Sequence, residues 1–65
     1  MQRNEAKYLP GYAVNGKNYG TFVITGSRWA EAVGEFIYGC FQIDADGNKV
    51  SNEMFLVESC FGGAA

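Results

Sequence analysis

Cys40 and Cys60, seven carboxylates and four tyrosines are the side chains from which this sequence would have to build catalysis or ligation, and it contains no histidine. That removes the commonest general base, the commonest transition-metal ligand and every Ser/His or Cys/His dyad. Two cysteines so far apart make neither a CxxC pair nor a structural zinc site. They read as buried free thiols, with one closing disulfide as the alternative. Asp44, Asp46, Asn48 and Asn52 fall on the first, third, fifth and ninth places of a calcium-loop template. Lys49 then stands where that template needs glycine and Phe55 where it needs a bidentate glutamate, so the letters read as an Asp-Gly turn. Glu31 and Glu35 could pair for acid/base work, but with Arg28 nearby they read as a solvated, salt-linked face. Gly26-Ser27 and Gly62-Gly63 lack the spacing and the lysine of a phosphate loop. The sequence therefore predicts a non-enzyme without metal or cofactor.

The elements that would position these groups follow from apolar spacing. Residues 8–14 and 19–25 are two β-rich runs around Asn15-Gly16-Lys17-Asn18, a strong hairpin signal. Pro10 makes the first strand either an edge strand or one that starts after Pro10, and in neither case a central one. Ser27 suits a helix N-cap, and Trp29, Val33, Phe36, Ile37 and Cys40 recur at helical spacing, with Arg28, Glu31, Glu35 and Tyr38 opposite. A second hairpin turns at Asp46-Gly47 and leads to an apolar strand over 54–61. The expected fold class is α+β: two hairpins (ββαββ) forming a small antiparallel sheet packed on one amphipathic helix, a single domain over 1–65 with 1–7 and 62–65 loose. Trp29 and Phe36 are then expected to be the costliest core truncations.

A turn at Asn15-Gly16, of two residues or of four, places Leu9, Gly11, Ala13, Gly20, Phe22 and Ile24 on the helix-facing side. Tyr8, Tyr12, Val14, Tyr19 and Val23 fall on the other. In the second hairpin, a break near Ser51-Asn52-Glu53 is favoured, because it buries Phe55, Val57 and Phe61 and turns Glu58 outward.

An open face with Tyr8, Tyr12 and Tyr19 suits a protein partner or a second copy of the chain, since tyrosine joins apolar area to a polar tip. Glu31, Glu35, Asp44 and Asp46 offer a second surface, fitted to a basic partner. A net charge of −2 argues against direct nucleic-acid binding. No apolar run is long enough to span a membrane, and the N-terminus has no apolar stretch of a secretory signal. The expected compartment is a reducing one.

The run Tyr19-Gly20-Thr21-Phe22-Val23-Ile24-Thr25 leads into Gly26-Ser27-Arg28-Trp29-Ala30-Glu31-Ala32, followed by Gln42-Ile43-Asp44-Ala45-Asp46-Gly47 and a last apolar strand. In this architecture the chain resembles the small α+β anti-CRISPR inhibitors of phages and mobile elements. The resemblance implies a phage-encoded inhibitor that works in the cytoplasm of a host cell by occupying a surface of a host nuclease or CRISPR-type complex, such as a basic surface that binds nucleic acid. A structural or assembly subunit of a virion, filament or larger complex is the alternative.

Overall fold

The computed structural model describes residues 6–17 and 20–64. They build one antiparallel sheet from β1 (Ala13–Gly16), β2 (Gly20–Ala30), β3 (Glu35–Ile43), β4 (Met54–Val57) and β5 (Phe61–Ala64), in the spatial order β4-β3-β2-β1-β5. The one helical element among the described residues is a 3₁₀ turn, Glu58–Cys60. The α+β expectation is thus corrected to all-β, and the amphipathic helix is not formed.

Residues 27–40 instead finish β2, reverse direction and return as β3. The reversal is closed by the N–H groups of Val33 (3.2 Å) and Gly34 (2.9 Å), both donating to the carbonyl of Ala30. Gly34 has φ +72°, a left-handed conformation that costs glycine nothing and would strain a residue with a Cβ. Phe36, Ile37, Tyr38, Phe41 and Ile43 are aromatic or β-branched and fit a pleated surface. Their burial alternates: Phe36, Tyr38 and Cys40 are buried, and Ile37 and Phe41 lie half-buried on the opposite face. The helical spacing was incidental, since Trp29 and Val33 on the supposed core stripe are 37% and 55% exposed. Trp29 packs edge-on against Phe36 at a centroid distance of 5.2 Å, near the end of the long hairpin and not at its centre.

The first hairpin forms with a longer loop than a two-residue turn. Gly16 pairs with Gly20 and Val14 with Phe22, and β1, which begins after Pro10, is a central strand between β2 and β5, contrary to expectation. Compared with a tight Asn15-Gly16 turn, this register inverts the parity of β1 while leaving that of β2 unchanged. Phe22 and Ile24 face the core as expected, Val14 joins them, and Leu9 is 52% exposed. At the second turn Ile43 bridges to Lys49, and β4 then aligns Met54 with Cys40 and Leu56 with Tyr38. Met54 and Leu56 therefore pack against the core while Phe55 is 69% exposed, the reverse of the favoured break within β4, although Phe61 is buried as that break required. Glu58, which argued for that break, finds a partner inward, accepting a 2.8 Å hydrogen bond from the Tyr38 hydroxyl.

The sheet curls on itself where a helix was expected to cover it. In a flat sheet β3 and β5 would lie about 14 Å apart across two intervening strands. Yet the rings of Tyr38 and Phe61 sit 5.7 Å apart. The 3₁₀ turn carries the chain from the β4 edge to the β5 edge, and the Cys60 carbonyl accepts from the Lys17 N–H at 3.2 Å. Tyr8, from the segment before β1, is buried against Tyr38 and Phe61 at 5.3 and 5.8 Å. An aromatic cluster thus takes the place of the second layer. Gly62 and Gly63, read from the sequence as part of a loose tail, lie in β5 beside β1.

Candidate functional site

The fold disperses the residues that the sequence offers for partner binding. Tyr8 is 3% exposed and belongs to the core, Tyr12 is 46% exposed, and Tyr19 lies outside the described residues. A shared tyrosine face is therefore not formed by Tyr8 and Tyr12. Glu31 sits at the tip of the long hairpin, accepting from the Trp29 indole N–H at 3.1 Å. Glu35 accepts from the Ser59 N–H at 3.0 Å and its hydroxyl at 3.4 Å, fastening the start of β3 to the 3₁₀ turn. Asp44 and Asp46 are at the other end of β3, roughly 30 Å from Glu35 at about 3.3 Å of rise per residue. One Asp44 oxygen accepts from the N–H groups of Asp46 and Asn48, both at 2.9 Å. These backbone donors, that of Asn48 foremost, hold its carboxyl below the usual aspartate range. The carboxylate is thus committed to shaping the turn, and the four acidic residues make no common patch.

What the sheet does bring together lies on its outer face. An irregularity between Ile24 and Gly26 shifts the register of β2, so that Gly26 stands opposite Gly39 with no side chain on either strand. Beside this bare patch are Phe55 on β4, Ile37 on β3 and Arg28 on β2, and the result is a groove of about 220 Å³. At the far end the Thr25 hydroxyl donates to Glu53 at 2.6 Å. A Cβ at Gly39 would come within 2.8 Å of the Thr25 hydroxyl oxygen and 3.0 Å of the Glu53 carboxylate, so the floor there depends on glycine. Above Gly26 there is open space, with nothing within 4 Å of an added Cβ. Arg28 is exposed and, among the described residues, has no hydrogen-bond or ion-pair partner.

No family model, curated protein or solved structure matches the chain. The geometry therefore carries the functional argument. The groove runs beside a strand edge that lacks a neighbour. β1 pairs with β2 only as far as Val23, and Gly11 and Tyr12 extend the contact to Ile24. From Gly26 to Ala30, β2 is paired with β3 on one side. Among the described residues nothing pairs with it on the other. Ser27, Arg28 and Trp29 on this edge are all exposed. The sequence concealed this site because it assigned these residues to a helix. The signal present in it was Gly26 and Gly39 on either side of an aromatic, β-branched run.

The opposite face holds a second, mostly apolar cavity of about 290 Å³, bordered by Phe22, Gln42, Met54, Leu56 and Cys60. Cys40 is fully buried nearby, and burial first, then the charges of Glu53 and Cys60, push its thiol up to about 11. Both thiols are free. Cys60, half-buried at the cavity wall, should react with a maleimide at least tenfold faster than Cys40, because the thiolate is the nucleophile and access is required. Mass spectrometry of a brief native labelling reaction would show one adduct at Cys60. Equal rates at both would mean that Cys40 is not shielded by the curled sheet.

Among the described residues no group of three or more Cys, Asp or Glu is placed to hold a metal ion. Among them, too, no helix is long and apolar enough to cross a membrane.

Proposed function

We propose that this protein is a non-catalytic protein-binding module that takes up an extended segment of a partner protein along the open edge of β2. The observation that carries this reading is the unpaired edge over residues 26–30, flanked by the groove. An exposed edge offers a row of backbone donors and acceptors to another strand, and soluble proteins usually blunt such edges with charge, proline or a covering loop. Here one arginine is the sole charged residue on it. The resemblance to α+β inhibitors is one of architecture, and with the helix gone it names no partner.

A second reading, an assembly subunit, draws on the other end of the sheet. β4 is an edge strand of Met54, Phe55, Leu56 and Val57, without charge and with Phe55 protruding. Sedimentation velocity of the purified chain, combined with amide hydrogen exchange in the presence of a captured and identified partner, separates the two. The binding module is expected to sediment as a monomer and to gain exchange protection over residues 26–30 when the partner is added. Self-association with protection confined to 54–57 would replace it with the assembly reading.

A further inference from the structure

We infer that the groove beside the open edge is a recognition pocket for one large apolar side chain of the added strand, flanked on that strand by a carboxylate that pairs with Arg28. The inference rests on the edge-binding reading and specifies the chemistry of the segment.

Three features lead to it. First, Gly26 and Gly39 face each other across β2 and β3, and the pocket above them is walled by Phe55 and Ile37. Its volume of about 220 Å³ fits a leucine or an aromatic ring and is too small for a helix. Second, Arg28 is on the same face as Gly26, two residues along β2, and has no partner among the described residues. A strand laid along β2 presents alternate side chains to this face, so a residue anchored over Gly26 brings one two positions away next to Arg28. Third, the pocket is electrically asymmetric. Glu53 closes the far end, where it already accepts from Thr25, so a second carboxylate is favoured at the Arg28 end and repelled at the other. The pocket therefore selects an apolar anchor with Asp or Glu two residues to one side, and it sets the direction in which the strand binds.

Gly26 makes a clean test possible. Its φ is not left-handed and an added Cβ meets nothing, so Gly26→Val fills the pocket without disturbing the sheet. The experiment selects a displayed library of random decapeptides on the immobilised full-length chain. The enriched peptides are then synthesised and titrated against the wild type, Gly26→Val and Arg28→Glu. The enriched sequences should share Leu, Phe, Tyr or Trp spaced two residues from Asp or Glu. Gly26→Val should weaken them more than about tenfold, with an unfolding midpoint at or above that of the wild type. Arg28→Glu should weaken them roughly fivefold or more and switch the preferred flanking residue to Lys or Arg. Peptides that bind all three proteins equally while protecting residues 26–30 would overturn the pocket and leave the edge-binding reading standing. Peptides that protect only 54–57, or no enrichment at all, would overturn both.

Discussion

Tyr38→Ala is expected to abolish cooperative folding. The side chain is fully buried in β3, with Tyr8, Phe36 and Phe61 around its ring. Its hydroxyl accepts from the N–H groups of Lys7 (2.8 Å) and Tyr8 (3.3 Å) and donates to Glu58 (2.8 Å). One atom thus ties the leading segment and the 3₁₀ turn to the middle of the sheet. Truncating a buried aromatic costs about 3 to 5 kcal/mol. A domain of this length has roughly 3 to 10 kcal/mol in all. Tyr38→Phe separates ring from hydroxyl: it keeps the packing, leaves three polar groups short of a partner and should cost about 1 to 3 kcal/mol. Thermal unfolding followed by circular dichroism would show no transition for the alanine variant and a lowered midpoint for the phenylalanine one.

The same hydroxyl has a pH signature. Burial first, and then the hydrogen bond to Glu58, push its pKa above the ordinary tyrosine value. For a group whose folded pKa is raised, the contribution to stability is fully present below the unfolded pKa, about 10 for tyrosine, and is lost as pH rises through the folded value. The wild type should therefore lose more stability above about pH 10 than Tyr38→Phe does. Parallel alkaline profiles would mean that Tyr38 is not the phenol responsible. A wild-type midpoint retained by Tyr38→Ala would mean that the cluster is not the core.

Phe61→Ala should rank next, because it tests how the sheet closes. Phe61 is 5% exposed, and its ring lies 5.8 Å from that of Tyr8, 6.0 Å from that of Phe22 and 5.7 Å from that of Tyr38. It is the described β5 side chain that reaches this cluster, across β1 and β2. The expected loss is about 3 to 5 kcal/mol, a fall in midpoint of more than about 10 °C. The variant should also open first at the β5 edge, so the amides of β1 and β5 would exchange early and Cys60 would label faster. A midpoint within a few degrees of the wild type, with unchanged Cys60 reactivity, would mean that β5 is not held through this ring. By contrast Trp29, ranked from the sequence with the costliest residues, sits at an exposed hairpin end and should cost far less than Phe61.

Spacing along the chain sufficed for the reversal at Asp46-Gly47 and for the inward face of β2. Asp46-Gly47 marks a chain reversal because its backbone preference is local, and Phe22 and Ile24 face inward whatever their partners, whereas Asn15-Gly16 signals a hairpin but is itself paired within β1, to Thr21 and Gly20. Arg28, Phe55 and Gly39 could not be assembled into a groove from spacing alone, because each stands on a different strand. Only tertiary structure decided between helix and hairpin for residues 27–40. Trp29, Val33, Phe36, Ile37 and Cys40 satisfy helical spacing, while Phe36, Tyr38 and Cys40 equally satisfy the alternation of a strand. The tie is broken by β2 and β4, which supply backbone partners on both sides of β3, and by Tyr8 and Phe61, which pack on its inner face. Tertiary structure also decided the parity of β1, since one residue more or less in a hairpin loop turns every side chain of a strand over, and that turned Val14 inward. Tyr8 enters the core from the segment before β1, on the far side of the turn closed by the Tyr12 N–H on the Leu9 carbonyl. The curl of the sheet came from the same source: Tyr8, Tyr38 and Phe61 can fill its interior only together, and no spacing along the chain records that they meet.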